Sequence, residues 1–131
     1  MEKTDLDCLS ITNDDRFLKA FELFNDSQWY PAHDLFEELW HEASIPYRNT
    51  LKAILQIAVA QIHLDRANIN GAVILYGEAL GKLSNPGISD LGLDLDSLCE
   101  FVRLRLQLLH KGIDPDPSSV PLLCKNSTEI G

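Results

Sequence analysis

Residues 47–67 read YRNTLKAILQIAVAQIHLDRA, and this segment is apolar on nearly every side when it is drawn as a helix. Most helices of globular proteins carry a single apolar stripe, whereas a helix that is apolar all round usually lies at the centre of a bundle. The segment begins after Pro46, and the residue before a proline is biased away from helical backbone angles. The sequence therefore predicts a central helix over 47–67.

Four further helices are predicted around this central one. Apolar stripes at helical spacing and polar capping residues indicate them over 12–25, 30–43, 71–83 and about 94–112. A weak echo between residues 32–38 and 72–78 favours tetratricopeptide-like pairing of helices. No alternating apolar and polar run predicts a strand. The expected fold is all-α, an irregular bundle of about five helices.

The length and composition predict one folded domain. The chain has 131 residues, of which 45% are hydrophobic and 24% are charged, as in ordinary globular proteins. We expect a single domain over 1–131 with a helical core over 12–112. The flanking segments 1–11 and 114–131 are expected to be loosely structured tails, because the first lacks a clear period and the second holds three prolines.

The charge and the cysteines exclude several classes of protein. Twenty acidic and eleven basic residues give a net charge of −9, which disfavours contact with phosphate backbones and anionic membranes. The three cysteines show no CxxC spacing, so neither a disulfide framework nor a zinc knuckle is predicted. No apolar run reaches the ~18 residues of a membrane span, and the first residues do not resemble a secretory signal. We expect a cytoplasmic protein that binds neither nucleic acid nor membranes.

Five polar or aromatic residues form the candidate site. His33, Glu37 and Trp40 share one strip of the second predicted helix, and an imidazole and a carboxylate four residues apart can form a hydrogen bond. Gln56 and His63 form a polar line on the otherwise apolar central helix. Buried polar groups need hydrogen-bond partners, so the economical arrangement points this line at the strip.

These residues carry a resemblance to a known family. Residues 30–40, YPAHDLFEELW, are similar to the HxxxExxW signature of the bacterial and archaeal "domain of unknown function 309" family, and residues 51–60 resemble its second segment. The resemblance covers about residues 17–83. This chain departs from the family pattern at three positions: His41, Lys52 and Ala53. The resemblance implies an all-helical bundle, likened to spectrin-type three-helix packing, and implies no established activity.

Three interpretations of the strip remain open. In the first, His33 and Glu37 are a structural hydrogen-bonded pair, and Glu37→Ala would lower the free energy of unfolding by about 1–3 kcal/mol. In the second, the strip is a ligand pocket with Trp40 as its apolar wall. In the third, His33, Glu37 and His63 form a metal site. We favour a non-enzymatic interaction or ligand-binding module without metal or cofactor, whose partner is a protein, a peptide or a second copy of the chain. The alternative is a small-molecule or metal-dependent enzyme centred on the same three residues.

Overall fold

The computed structural model describes residues 7–126. Six helices lie within this range: α1 (Cys8–Thr12), α2 (Asp15–Asn25), α3 (Trp29–Glu42), α4 (Tyr47–Asp65), α5 (Ile69–Leu83) and α6 (Leu95–His110). The predicted all-α fold is confirmed, and the extra helix α1 precedes the five that the sequence predicts. None of these six helices is long and apolar enough to cross a membrane.

Helix α4 lies at the centre of the described fold, as its composition predicts. It packs against both α3 and α5. Every residue from Ala53 to Ala58 is buried, and six consecutive residues cover more than one full turn, so α4 is enclosed on all sides over this length. The remaining helices extend the bundle outward, with α2 packed on α3 and α6 packed on α5.

Aromatic packing and side-chain caps set the ends of the helices. Phe24 near the end of α2 meets Trp29 at the start of α3 edge to face, with ring centroids 5.1 Å apart. Asn68 and Asp94 cap α5 and α6, since their side chains accept hydrogen bonds from the backbone N–H of Gly71 and Ser97 at 3.1 Å. Each cap satisfies one of the free N–H groups at a helix start.

Both segments expected to be loosely structured contain packed residues. Ile11 on α1 is fully buried. In the C-terminal segment, the backbone of Leu123 exchanges two hydrogen bonds with the side-chain amide of Asn25, at 2.7 and 2.8 Å. Leu123 itself is only 3% exposed. This segment therefore closes the core beside α2, and the rest of the predicted tails, residues 1–6 and 127–131, lies outside the described residues.

Candidate functional site

Four residues of α3 form one line along the edge of the helix that faces α4. Tyr30, His33, Glu37 and Trp40 follow each other at steps of three or four residues, which places them above one another on a helix surface. The neighbouring stripe of α3 points into the core through buried residues, among them Phe36. The line therefore lies at the margin of the core, where side chains are partly accessible.

Two cations from α4 hold the Trp40 end of this line. The Arg48 guanidinium lies 4.4 Å from the centre of the Trp40 ring, and the Lys52 ammonium lies 4.8 Å from it. Arg48 Nε also donates a hydrogen bond of 3.2 Å to the Trp40 backbone oxygen. A positive charge over an indole face is attracted by the negative potential of the ring. Trp40 is partly buried, so the two cations fix the orientation of the ring beside solvent.

A similar contact stands at the other end of the line. The guanidinium of Arg66, the residue that follows α4, lies 5.5 Å from the centre of the Tyr30 ring and donates a hydrogen bond to its hydroxyl group. Tyr30 is 52% exposed. Within residues 7–126, none of Arg48, Lys52 and Arg66 makes an ion pair with a carboxylate. The edge between α3 and α4 is therefore aromatic and locally cationic at both ends.

The acidic residues on the far side of α3 are neutralised by a different residue. Arg16 on α2 contacts Glu42 at 2.7 Å, Asp14 at 2.8 Å and Glu38 at 3.6 Å. The hydrogen bonds that Arg16 donates to Glu42 and Asp14 raise the pKa of its guanidinium, so its charge is permanent. This cluster joins α2 to α3. Because Arg16 binds these carboxylates, they do not pair with Arg48 or Lys52 on α4.

His33 and Glu37 in the middle of the line are not bonded to each other. His33 Nδ1 lies 3.2 Å from Asp34 Oδ1, and because an ionised carboxylate only accepts, Nδ1 carries the hydrogen. Glu37 is exposed, and its side chain makes no hydrogen bond or ion pair with the rest of residues 7–126. The predicted hydrogen bond between His33 and Glu37 is therefore wrong, because Glu37 lies in water and Asp34 is nearer to the ring.

Gln56 and His63 face α5 instead of α3, which corrects the predicted arrangement. Gln56 Nε2 donates to Glu78 Oε1 at 2.7 Å. His63 Nδ1 lies 3.1 Å from the amide nitrogen of Asn68, so Nδ1 accepts. A Cβ at Gly71 would lie 2.6 Å from that amide nitrogen and 3.1 Å from the His63 ring, so a larger residue there would displace the Asn68 side chain that caps α5. His63 thus packs at the start of α5.

The five candidate residues therefore divide between two interfaces. His33, Glu37 and Trp40 lie at the edge between α3 and α4, and Gln56 and His63 lie between α4 and α5. Within the described part of the chain, no group of three His, Cys, Asp or Glu side chains is close enough to hold a metal ion. The combination of His33, Glu37 and His63 does not form a metal-binding geometry there.

A buried polar network was missed by the sequence analysis. Arg105 on α6 is 3% exposed, and its Nη1 donates to Gln61 Oε1 at 3.2 Å and to the Tyr76 hydroxyl at 3.4 Å. Its Nη2 donates to the backbone oxygen of Ser119 at 2.5 Å. The Tyr76 hydroxyl donates to Gln61 Oε1. Burial raises the pKa of Tyr76, more than the nearby Arg105 charge lowers it, so the phenol stays protonated.

One signal for this network is visible in the sequence. Leu98, Val102, Arg105 and Leu109 follow each other at steps of four, three and four residues, so Arg105 takes an apolar position of the stripe that α6 presents to the core. A charged residue in such a stripe predicts a buried group that needs hydrogen-bond partners. Its partners on α4 and α5 lie 44 and 29 residues away, beyond the reach of any local pattern.

The comparison with known families agrees with the motif. Residues 17–75 match the family described as Domain of unknown function (DUF309), which confirms the resemblance found in the HxxxExxW segment. The matched range begins in α2 and ends in α5, so it contains the whole edge between α3 and α4. No curated protein matches the chain.

Proposed function

We propose that this protein is a non-enzymatic interaction module that binds an acidic segment of another protein along the edge between α3 and α4. We call this surface the aromatic–cation strip, and it consists of Tyr30, His33, Glu37, Trp40, Arg48, Lys52 and Arg66. The observation that carries the proposal is a pair of aromatic rings in contact with cations: Trp40 with Arg48 and Lys52, and Tyr30 with Arg66. None of these three cations has an ion-pair partner within residues 7–126.

The charge of the strip argues for an acidic partner. Three basic side chains gather on this edge of a chain whose net charge is −9. Arg16 already binds Glu38 and Glu42, the carboxylates on the far side of α3. An incoming carboxylate would therefore meet unpaired cations, and complementary charge mainly raises the association rate and the specificity of binding.

The residue types and the length of the strip argue for a peptide or a helix as the bound element. Tryptophan, tyrosine and arginine are the residues that most often dominate binding energy in protein interfaces. Tyr30 and Trp40 are ten residues apart, which corresponds to roughly 15 Å along a helix. This length suits about three turns of a partner helix. The exposed Glu37 lies between the two rings and would disfavour partners that carry an acidic group at the middle of the bound segment.

The proposal keeps three of the five residues that the sequence suggests for the site. His33, Glu37 and Trp40 belong to the strip, whereas Gln56 and His63 contact α5 and are left out. The alternative of a metal-dependent enzyme has no geometric support in residues 7–126, because its three proposed donors do not gather in one place.

The test uses two blocked ten-residue helical peptides as probes. One carries glutamates along one face, and the other carries glutamines at the same positions. In titrations followed by nuclear magnetic resonance of the labelled protein, the glutamate peptide should shift the Trp40 indole N–H and the α3 amides. The glutamine peptide should bind roughly tenfold more weakly. Added salt should lower the affinity of the glutamate peptide, because exposed charges are screened.

Charge-reversal variants separate this surface from the rest of the molecule. Lys52→Glu should weaken binding of the glutamate peptide by roughly tenfold. Lys19→Glu is the matched control, since Lys19 is exposed on α2. Equal binding of the two peptides, or a Lys52→Glu variant that binds like the native protein, would overturn the proposal. If the protein binds an oligouridine and Lys52→Glu abolishes that binding, the partner is a nucleic acid and the proposal is wrong. If the protein self-associates and Lys52→Glu abolishes that association, the partner is a second copy of the chain.

A further inference from the structure

A second feature of the molecule, separate from the aromatic–cation strip, is a cavity of about 400 Å³ beside the buried network. It lies where the end of α4, the start of α3 and the segment after α6 meet, and its lining includes Arg105 and Gln61. Its volume falls within the range of small-molecule sites in proteins, which is roughly 300–1,000 Å³.

Arg105 brings a buried positive charge to this cavity without a carboxylate of residues 7–126 in direct contact. Its nitrogens bond to neutral groups, namely Gln61 Oε1, the Tyr76 hydroxyl and the Ser119 backbone oxygen. No carboxylate of residues 7–126 lies within ion-pair distance of the guanidinium. Buried charges in proteins are ordinarily paired or bound to a ligand, so the guanidinium can still take a negatively charged group as a direct partner.

Gln61 adds an unused hydrogen-bond donor to the same wall. Its oxygen accepts from Arg105 and from Tyr76, and this fixes the orientation of the amide, because a flipped amide would set its N–H₂ group against the guanidinium. The amide nitrogen then makes no hydrogen bond within residues 7–126. Gln61 is only 4% exposed and lines the cavity, so its free amide nitrogen is open to the cavity beside the buried cation.

The same cavity also carries negative charge. Asp65, Asp114 and Asp116 line it. Asp116 accepts hydrogen bonds from Ser118, at 2.8 and 2.9 Å, whereas Asp65 and Asp114 make no ion pair with residues 7–126. A simple anion would be repelled by three carboxylates on its way to Arg105. A ligand that matches both the guanidinium and the carboxylates has to carry a positive group as well as a negative one.

The remaining lining is apolar. Trp29, Leu64 and Val120 contribute apolar surface to the cavity. Such a surface binds a hydrocarbon side chain by removing it from water. The three parts of the lining thus match a carboxylate, an ammonium group and an apolar side chain.

We propose that this cavity binds a small zwitterion, a free α-amino acid with an apolar side chain. The ligand carboxylate accepts hydrogen bonds from Arg105 and the Gln61 amide. The ammonium group lies toward Asp65 and Asp114, and the side chain packs against Trp29. Binding at this cavity does not depend on the aromatic–cation strip, so Lys52→Glu should leave it unchanged.

The test uses L-leucine and three related probes with the full chain in isothermal titration calorimetry. L-Phenylalanine tests a larger apolar side chain. L-Leucinamide lacks the carboxylate, and N-acetyl-L-leucine lacks the ammonium group. L-Leucine should bind saturably, and each of the two blocked compounds should bind at least about tenfold more weakly, because each loses hydrogen bonds between charged groups.

Variants on the exposed rim keep the proposal falsifiable. Arg105 holds the segment after α6 through Ser119, so substitutions at Arg105 are confounded by folding. Asp65→Asn should weaken the binding of L-leucine by roughly threefold or more. The same variant should not weaken the binding of N-acetyl-L-leucine, an anion that Asp65 repels, and a merely structural role would not produce this pattern. Asp96→Asn is the matched control, since Asp96 is exposed on α6 and does not line the cavity.

Three results would overturn the proposal. The first is the absence of saturable binding of L-leucine and L-phenylalanine below roughly 10 mM. The second is L-leucinamide or N-acetyl-L-leucine binding as tightly as L-leucine. The third is an Asp65→Asn variant whose affinity for L-leucine equals that of the native protein.

Discussion

Gln56 offers a quantitative test of the packing between α4 and α5. Its Nε2 donates to Glu78 Oε1 at 2.7 Å, while its Oε1 is buried and has no hydrogen-bond partner within residues 7–126. A buried acceptor left without a partner costs about 1–3 kcal/mol of stability. The bond to Glu78 contributes about 1 kcal/mol at most, because the exposed carboxylate regains water when the bond is lost.

The substitution Gln56→Met removes both contributions at once. Methionine keeps the length and the unbranched shape of glutamine and has no oxygen to satisfy. The difference between the two contributions predicts that the free energy of unfolding rises by about 0–2 kcal/mol. Urea unfolding followed by circular dichroism measures this change. In a thermal scan, the midpoint should rise by roughly 4 °C for each kcal/mol.

The matched control is Gln107→Met, since Gln107 is exposed on α6. Substitution of an exposed residue without a structural role should change stability by less than about 0.5 kcal/mol. If Gln56→Met instead loses more than about 1 kcal/mol while the control is unchanged, the reasoning is refuted. The oxygen of Gln56 would then have a hydrogen-bond partner in the folded protein.

Two further substitutions test the surface of α2 and α3. Glu37→Ala should change the free energy of unfolding by less than about 0.5 kcal/mol, because the Glu37 side chain is exposed and makes no bond within residues 7–126. If urea unfolding instead shows a loss of about 1–3 kcal/mol, the buried pair of His33 and Glu37 suggested by the sequence would be correct. Asp14→Asn keeps the N-cap acceptor of α2 but loses the carboxylate whose pKa the Arg16 side chain lowers below 3.8. Because this pKa is lower in the folded state, the stabilisation is present above pH 3.8 and is lost as the pH falls through the folded value. The native protein should therefore be more stable than Asp14→Asn at neutral pH, and the two free energies of unfolding should become equal in acid. A difference that does not depend on pH would contradict the role given to the Asp14 carboxylate.

Local patterns were sufficient to predict the helices and the centre of the bundle. The apolar run of α4 leaves no polar face for water, so this helix has to be enclosed wherever its neighbours come from. The caps at Asn68 and Asp94 were predictable because the donor and the acceptor lie within three residues of each other. The matching segment over 17–75 was predictable for a similar reason, because the HxxxExxW motif is contiguous.

The partners of the candidate residues were not predictable, because a helical projection gives a direction but not a neighbour. Lys52 and Gln56 differ by only about 40° around the axis of α4. Lys52 nevertheless lies over the Trp40 ring of α3, while Gln56 bonds to Glu78 of α5. On the surface of α4, the area packed on α3 therefore ends and the area packed on α5 begins between Lys52 and Gln56. Where this boundary falls depends on the order and the register of all three helices.

The sequence by itself determined the helical class, the central position of α4 and the strip of α3 that carries His33, Glu37 and Trp40. The tertiary structure alone decided that Arg105 meets Gln61, and that the segment after α6 closes over both through Ser119. The physical reason is the range of the interactions. Helices form from contacts between residues three or four apart, whereas a buried charge is satisfied by whichever distant groups the completed packing brings to it.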